Sequence, residues 1–204
     1  MLSSIINNNR YHISLENKRL FIAIEIPPAA RKAVYWLGSW VLKNCDGARS
    51  VKEDNIHITL KFLGSTPEDN IDPISDAITG AALSFNHFPF EINGEMDAFP
   101  NKERARVVFS AIGEGRLKLK LLYLSLEESL ERGCRQFGVK AGPNDFMAHI
   151  TIARLRHPGD ITYAIIKAGT IPPVWIECRK IALFESMLGT AGVRYTKLRE
   201  FSLK

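Results

Sequence analysis

The sequence lacks the segments that would place it in a membrane or among disulfide-stabilised secreted proteins. Its longest apolar runs are far shorter than the roughly 20 residues that cross a bilayer, and its N-terminus lacks the layout of a signal peptide. Cysteine is scarce, and Cys45, Cys134 and Cys178 are too few and too widely spaced for a disulfide framework. We therefore expect a soluble protein of a reducing compartment, the cytoplasm, with no membrane partner.

Motifs for energy-driven or metal-dependent chemistry are missing as well. There is no Gly-x-x-x-x-Gly-Lys-Ser/Thr loop for ATP and no Gly-x-Gly-x-x-Gly turn for a dinucleotide. His-Glu-x-x-His and Cys-x-x-Cys are absent, and no carboxylate is spaced to complete a metal site with the histidines. We therefore expect neither a cofactor nor a metal ion.

The composition is that of a folded, moderately basic protein. With 204 residues, of which 46% are hydrophobic, the chain is long enough for one full core or two small lobes. Its net charge of +5 suits a polyanionic ligand such as RNA, although many basic proteins bind none. Residues 1–18 are predicted to be a poorly ordered extension, and residues 19–204 a single bilobal domain.

One short pattern occurs twice, as His57-Ile58-Thr59-Leu60 and His149-Ile150-Thr151-Ile152, at a spacing of 92 positions. Each copy alternates polar and apolar residues, which predicts a strand with imidazole and hydroxyl on one face. A single His two residues before a Thr is usually structural, but a matched pair with apolar flanks points to a shared function. Strands and helices alternate around the two copies, which suggests an internal duplication.

We therefore predict an α+β fold with two pseudo-symmetric lobes. Each lobe is expected to hold an antiparallel sheet with helices on its outer face, and a central cleft is expected between the two sheets. The longest helix is predicted at residues 115–137, with Gly138 as its cap and an apolar stripe of leucines facing the core. The stripe consists of Leu117, Leu121, Leu124 and Leu130.

Two imidazoles suit the cleavage of a phosphodiester. Histidine titrates near neutrality, so one ring can accept a proton while the other donates one. The attacking water must lose a proton and the departing alkoxide must gain one, on opposite sides of phosphorus. Strands on opposite walls of a cleft would bring the two rings to those two sides, and the threonine hydroxyls would donate to the non-bridging oxygens. Such a pair predicts a bell-shaped pH dependence with both limbs near neutrality.

The two motifs and their surroundings resemble the two-histidine (2H) phosphoesterase superfamily, and within it the LigT-like RNA 2′,3′-cyclic phosphodiesterases, also called 2′-5′ RNA ligases. The resemblance covers about residues 19 to 203. Its segments are Arg19–Pro27, Asn55–Gly64, Phe99–Asn101 with the arginines that follow, Phe146–Arg154, and Leu183–Ser186 with Arg194 and Tyr195.

The resemblance implies a substrate and a set of roles. The substrate is RNA or a nucleotide with a 2′,3′-cyclic phosphate end, hydrolysed to a 2′-phosphomonoester. His57 would donate a proton to the leaving 3′ oxygen, and His149 would accept one from water. Thr59, Thr151 and Arg154 would hold the phosphate. No obligatory protein partner is implied, and we expect a monomer.

Several neighbouring residues have two interpretations. Arg154 lies five residues after His149 and falls on the opposite face of a straight strand, so it reaches the site only if the strand ends or bulges. Lys61 either continues the functional face or is a solvated residue at the rim. Phe62, Phe99 and Phe146 either stack on a base or belong to the core.

Two alternative functions stay open. Microscopic reversibility permits the same site to join RNA ends into a 2′-5′ linkage without ATP. A protein of this kind can also be a nucleotide- or RNA-binding module without turnover.

Overall fold

The computed structural model describes residues 17–135, 139–140, 142, 145–190 and 192–204. These residues form nine strands and four helices, joined by two short 3₁₀ turns at Glu53–Asn55 and Glu68–Asn70. The strands are β1 (Asn17–Glu25), β2 (Ala48–Ser50), β3 (His57–Pro67), β4 (Phe88–Phe99), β5 (Ala105–Ile112), β6 (His149–Gly159), β7 (Val174–Cys178), β8 (Lys180–Gly189) and β9 (Gly192–Ser202). The helices are α1 (Pro28–Asn44), α2 (Ile71–Leu83), α3 (Arg116–Cys134) and α4 (Thr162–Ala168).

The strands form one curled antiparallel sheet with the order β7-β4-β5-β6-β3-β1-β8-β9, and β2 pairs with β6 beside this path. The two motif strands, β3 and β6, are neighbours at its middle. Among the described residues, the ladder between them consists of the single pair Ile58–Ile150. We call this boundary between β3 and β6 the seam. Three further strands of the main path lie on each side of it, so the two halves are similar in layout.

The prediction of an α+β fold is confirmed, but the prediction of two separate sheets is wrong. The halves are hydrogen-bonded into one sheet, because Ile58 and Ile150 lie at equivalent places in the two motif strands and pair with each other. The motif strands are therefore adjacent rather than on opposite walls of a cleft.

Helices cover one face of the sheet. Helices α1 and α4 pack together, and α1 lies on β2 and β6, whereas α2 packs on α3, β8 and β9. The main core lies between these helices and the sheet, and includes the fully buried Ile22, Ile58 and Ile150. The opposite sheet face carries a smaller apolar cluster of Phe21, Ala23, Ala182 and Phe184, against which Tyr195 packs.

Helix α1 begins at a proline, because Pro28 occupies a first-turn position whose N–H has no intrahelical partner. Gly38 lies where α1 crosses β6. A Cβ at this position would lie 2.6 Å from the carbonyl oxygen of Ile152. Glycine therefore permits a close approach of the helix to the second motif strand.

The predicted apolar stripe of α3 is largely wrong. Leu117, Leu121 and Leu124 are 66%, 46% and 44% exposed, and of the four predicted leucines only Leu130 is buried. The helix instead buries Leu119, Leu122, Tyr123, Leu126, Leu130 and Cys134. A second set of leucines at helical spacing exists on this helix, and packing against α2 selects it. The predicted cap, Gly138, lies outside the described residues.

The beginning of the chain is described from residue 17, so most of the predicted extension lies outside the described residues. Strand β1 begins at Asn17, two residues before the predicted domain start. No helix in the described ranges has both the length and the apolar character needed to span a bilayer.

Candidate active site

The two motif strands begin with the same pattern of burial. In both, the His and the Thr are partly exposed, the Ile between them is buried, two buried residues follow the Thr, and the next residue is exposed. Ile58 and Ile150 belong to the main core, so the imidazole and hydroxyl of each motif lie on the opposite face of the sheet. This arrangement is the one predicted from the alternation in sequence.

The seam brings the two motifs together. Because Ile58 and Ile150 are antiparallel partners, the residues that flank them run past each other in opposite directions. His57 therefore lies opposite Thr151 across the seam, and His149 lies opposite Thr59. Two imidazoles and two hydroxyls thus share one sheet face around a pseudo-twofold axis.

A bulge interrupts β3 directly after the first motif. Thr59 and Lys61 pair with consecutive residues of β1, which leaves Leu60 without a partner. The extra residue reverses the alternation of faces, so Leu60 and Lys61 are both buried. Phe62 then turns onto the face of the motif, where it is 69% exposed with its ring 6.2 Å from that of Phe21. Lys61 is thus neither on the functional face nor solvated, contrary to both interpretations of the sequence.

The same bulge occurs in β6. Thr151 and Ala153 pair with consecutive residues of β5, which leaves Ile152 without a partner. Ile152 and Ala153 are both buried, and Arg154 turns onto the face of the motif. The structural condition for Arg154 to reach the site is therefore met. Phe62 and Arg154 occupy equivalent positions, each five residues after its histidine.

His57 is held in a defined orientation. Its Nδ1 lies 2.7 Å from the carbonyl oxygen of Asn55 and its Nε2 lies 2.8 Å from the hydroxyl of Thr59. Because a carbonyl only accepts, Nδ1 carries the proton, and Nε2 of the neutral ring accepts from the Thr59 hydroxyl. The rings of Phe21 and Tyr195 pack against the imidazole at centroid distances of 5.1 and 5.3 Å.

His149 is anchored in the same way. Its Nδ1 donates to the carbonyl oxygen of Met147 at 2.8 Å, which leaves Nε2 unprotonated in the neutral ring. Phe99 and Phe109 pack on this imidazole at 5.1 and 5.2 Å. A cavity of about 360 Å³ adjoins these side chains, with Asn101 and Lys102 among its lining residues.

Both histidines are neutral at pH 7. Burial, with smaller contributions from the charges of Arg154 and His149, lowers the pKa of His57 to about 4 against the opposing hydrogen bond to Asn55. Burial and Arg154 likewise lower the pKa of His149, against the opposing hydrogen bond to Met147. Each ring therefore offers an Nε2 lone pair, the form that a general base requires.

Arg154 lies close enough to influence several groups of the site. Its charge lowers the pKa of both histidines and opposes the rise that burial causes in the pKa of Tyr195. The guanidinium is therefore part of the electrostatic environment of both motifs.

The three aromatic candidates have different positions. Phe62 is exposed beside the motif, and Phe99 packs on both His149 and Phe109, which also contact each other. Phe146 stacks on Tyr123 at 4.2 Å and packs against the main core. Phe21 and Phe109, whose rings contact the two histidines, were not predicted from sequence. They lie at different places in the strands that flank the motifs, since Phe21 pairs with Phe62 and Phe109 pairs with Thr151, so no repeated sequence pattern marks them.

Comparison with known proteins identifies the family. The sequence matches the LigT like phosphoesterases over residues 24–109 and 123–195. A Thermus thermophilus protein named RNA 2′,3′-cyclic phosphodiesterase is 31% identical over 194 residues, covering 91% of this chain and 90% of that protein. A Thermotoga maritima protein of the same name is 29% identical over 182 residues, covering 89% and 94%.

Solved structures with a similar fold support the same family. A crystal structure of a Thermus thermophilus protein superposes with a TM-score of 0.72 at 28% identity, covering 91% of this chain and 97% of that one. Escherichia coli LigT complexed with 3′-AMP gives a TM-score of 0.64 at 25% identity, covering 93% and 99%. The resemblance seen in the motifs is thus confirmed over most of the chain, and this protein belongs to the LigT-like phosphoesterase family.

Proposed function

We propose that this protein is an RNA 2′,3′-cyclic phosphodiesterase that hydrolyses the cyclic phosphate to a 2′-phosphomonoester without a metal ion. The observation that carries the proposal is the seam, where Ile58 and Ile150 pair and two His-x-Thr units share one sheet face. The names of the relatives from Thermus thermophilus and Thermotoga maritima support the reaction. The complex of Escherichia coli LigT with 3′-AMP supports a nucleotide ligand.

In the proposed reaction the two imidazoles act on opposite sides of phosphorus. Nε2 of His149 removes a proton from water as the water oxygen bonds to phosphorus. The bond between phosphorus and the 3′ oxygen breaks, and Nε2 of His57 gives its proton to that oxygen. The carbonyl oxygens that hold each Nδ1–H keep the reactive nitrogens pointed at the substrate.

The threonines and Arg154 are proposed to bind the phosphate. In the free protein the Thr59 hydroxyl bonds to His57 Nε2, so substrate must draw that hydroxyl to a non-bridging oxygen and release the nitrogen for proton transfer. Thr151 would donate from the other motif. Arg154 would pair with the anionic oxygens and stabilise the charge that grows on them.

The acid must obtain its proton when substrate binds. His57 is neutral at pH 7 in the free protein, and the nearby phosphate anion would raise its pKa. The pKa of each ring lies below 6.5. We therefore expect the bell-shaped pH profile of kcat/KM to have its maximum on the acid side of neutrality, at lower pH than the sequence alone predicted. The profile of kcat, which reports the bound state, should lie at higher pH.

Phe62 and Arg154 suit the recognition of the terminal nucleotide. An exposed ring on the motif face offers a stacking surface to a base, and Arg154 offers a charged group on the other half of the site. Phe21 packs beneath this region and is itself buried, so it supports Phe62 rather than contacting substrate.

The proposal is tested by incubating the protein with 2′,3′-cyclic, 3′,5′-cyclic and linear diesters in excess EDTA and identifying the products by chromatography. We expect hydrolysis of the 2′,3′-cyclic compounds to 2′-phosphates. His57→Ala and His149→Ala should each lower kcat by at least about a thousandfold with the fold retained. His87→Ala, at a half-exposed His outside the motifs, is the matched control and should retain activity.

Full activity in either motif variant would refute the acid–base pair. Tight nucleotide binding without turnover would identify a binding module instead. Formation of 2′-5′-linked products from separate RNA ends at a higher rate than hydrolysis would favour ligation.

A further inference from the structure

A charged pair of a buried lysine and a largely buried glutamate lies behind the first motif strand. Lys61 is 5% exposed, and its Nζ donates to Glu127 Oε1 at 2.6 Å and to the carbonyl oxygen of Lys140 at 2.8 Å. Lys61 comes four residues after His57, on the core side of β3 because of the bulge. The reaction proposed above does not use this pair.

Glu127 connects the pair to the chain ahead of the second motif. Its second oxygen accepts a hydrogen bond from the backbone N–H of Gly142 at 2.7 Å. One turn earlier on α3, Tyr123 stacks on Phe146 at 4.2 Å. Phe146 precedes Met147, whose carbonyl oxygen receives the Nδ1–H of the second motif His.

The space around Gly142 is closely filled. A Cβ at this position would lie 2.3 Å from the Tyr123 hydroxyl oxygen and 2.8 Å from Glu127 Oε1. The backbone at this point therefore sits directly on the ion pair and the tyrosine. Strand β3 and helix α3 therefore meet at the Lys61–Glu127 pair, and Lys140 and Gly142, which precede the second motif, bond to the same pair.

Stability alone does not account for an ion pair that is largely removed from water. Removing a lysine and a carboxylate from water is costly, and well-packed apolar residues of similar size often stabilise a fold as well or better. What an ion pair with satisfied hydrogen bonds adds is a defined geometry. Here the geometry relates the first motif strand to the backbone that leads to His149.

We propose that Lys61 and Glu127 are positioning residues, which set the place of the Met147 carbonyl and thereby the orientation of the His149 ring relative to the first motif. The consequence for catalysis rests on the function proposed above, whereas the consequence for the ring does not. A catalytic group that is displaced by about 1 Å or less from its reacting position lowers kcat more than it weakens substrate binding.

The test is the double variant Lys61→Met with Glu127→Leu, which replaces the pair by apolar groups of similar size. We expect the fold to be retained and kcat to fall about 10- to 100-fold, with KM changed less than about threefold. In ¹⁵N NMR spectra the His149 ring should lose its uniform Nδ1–H form. The matched control is Arg132→Met with Glu128→Leu, an exposed pair 3.7 Å apart on the same helix, which should change neither readout.

A second variant covers the case in which the double variant does not fold. Gly142→Ala leaves both charges in place and pushes the backbone away from them, and it should lower kcat and disturb the His149 tautomer in the same way. An unchanged His149 ring and a kcat within about twofold of wild type in the folded variants would overturn the proposal. If the wild-type protein has no phosphodiesterase activity, the NMR readout still decides the positioning role, so the two proposals fail separately.

Discussion

The depressed pKa of His57 makes the stability of the protein depend on pH in a way that can be calculated. Burial holds this pKa at about 4 in the folded state, against 6.5 for an ordinary histidine. On acidification the unfolded chain therefore takes up a proton first. The stability contributed by neutral His57 is present above pH 6.5 and is lost progressively as the pH falls from 6.5 through 4.

The magnitude follows from linkage. With the two pKa values of 6.5 and about 4, the free energy of unfolding falls by about 2 kcal/mol between pH 7 and pH 5, and by about 3 kcal/mol at pH 4. The change His57→Gln removes the titrating group and keeps a polar side chain. We expect the variant to lose about 2 kcal/mol less than wild type between pH 7 and pH 5.

Urea unfolding followed by tryptophan fluorescence at the two pH values measures this difference, and NMR titration of the His57 ring measures the pKa directly. His157→Gln, at an exposed histidine on β6, is the control and should leave the wild-type pH dependence in place. An NMR pKa of about 6 or above for His57, or the same acid destabilisation in wild type and His57→Gln, would refute burial as the cause of the shift.

Three further changes test other parts of the structure. Arg154→Gln should raise the pKa of both motif histidines in NMR titrations, because the charge lowers both, and should raise KM by about tenfold through loss of a charged hydrogen bond. Phe62→Ala should weaken nucleotide binding in calorimetry by about 1–3 kcal/mol with little change in stability, whereas Tyr163→Ala, equally exposed on α4, should not alter binding. Gly38→Ala should lower the free energy of unfolding by about 1–3 kcal/mol in urea titrations, since its Cβ would lie 2.6 Å from a β6 carbonyl. Gly80→Ala on α2, whose Cβ would lie 3.5 Å from Ser129 Oγ, should be neutral or stabilising, and equal destabilisation of both would count against the close approach.

The faces of the motif strands could be predicted from sequence because period-two alternation is a local property. Ile58 and Ile150 are buried and the His and Thr residues face away from them, as expected. The bulges could not be predicted, because each depends on which residue of the neighbouring strand pairs with which. Lys61 was therefore assigned to the wrong surroundings, and Arg154 could be placed only conditionally.

The buried face of helix α3 was predicted wrongly for a related reason. It carries leucines around most of its circumference, so more than one set has helical spacing, and periodicity cannot say which set faces the core. The contact with α2 makes the choice, and it is a tertiary contact. The single sheet was missed in the same way, since one residue pair at the seam decides between one sheet and two.

The site combines symmetry with a departure from it. The two halves supply the same His-x-Thr unit, the same carbonyl anchor for Nδ1 and the same bulge after the motif, and this repetition yields two imidazoles that are held alike at Nδ1. The proposed acid and base must nevertheless differ, and the proposed substrate has a nucleobase at one end of its ribose and a phosphate at the other. The bulges meet this need, because each turns the fifth residue after its histidine toward the site, and that residue is Phe62 in one half and Arg154 in the other. Exchanging these two side chains, as Phe62→Arg with Arg154→Phe, should therefore reduce turnover far more than it reduces stability, since the fold is nearly symmetric about the seam and the ligand is not.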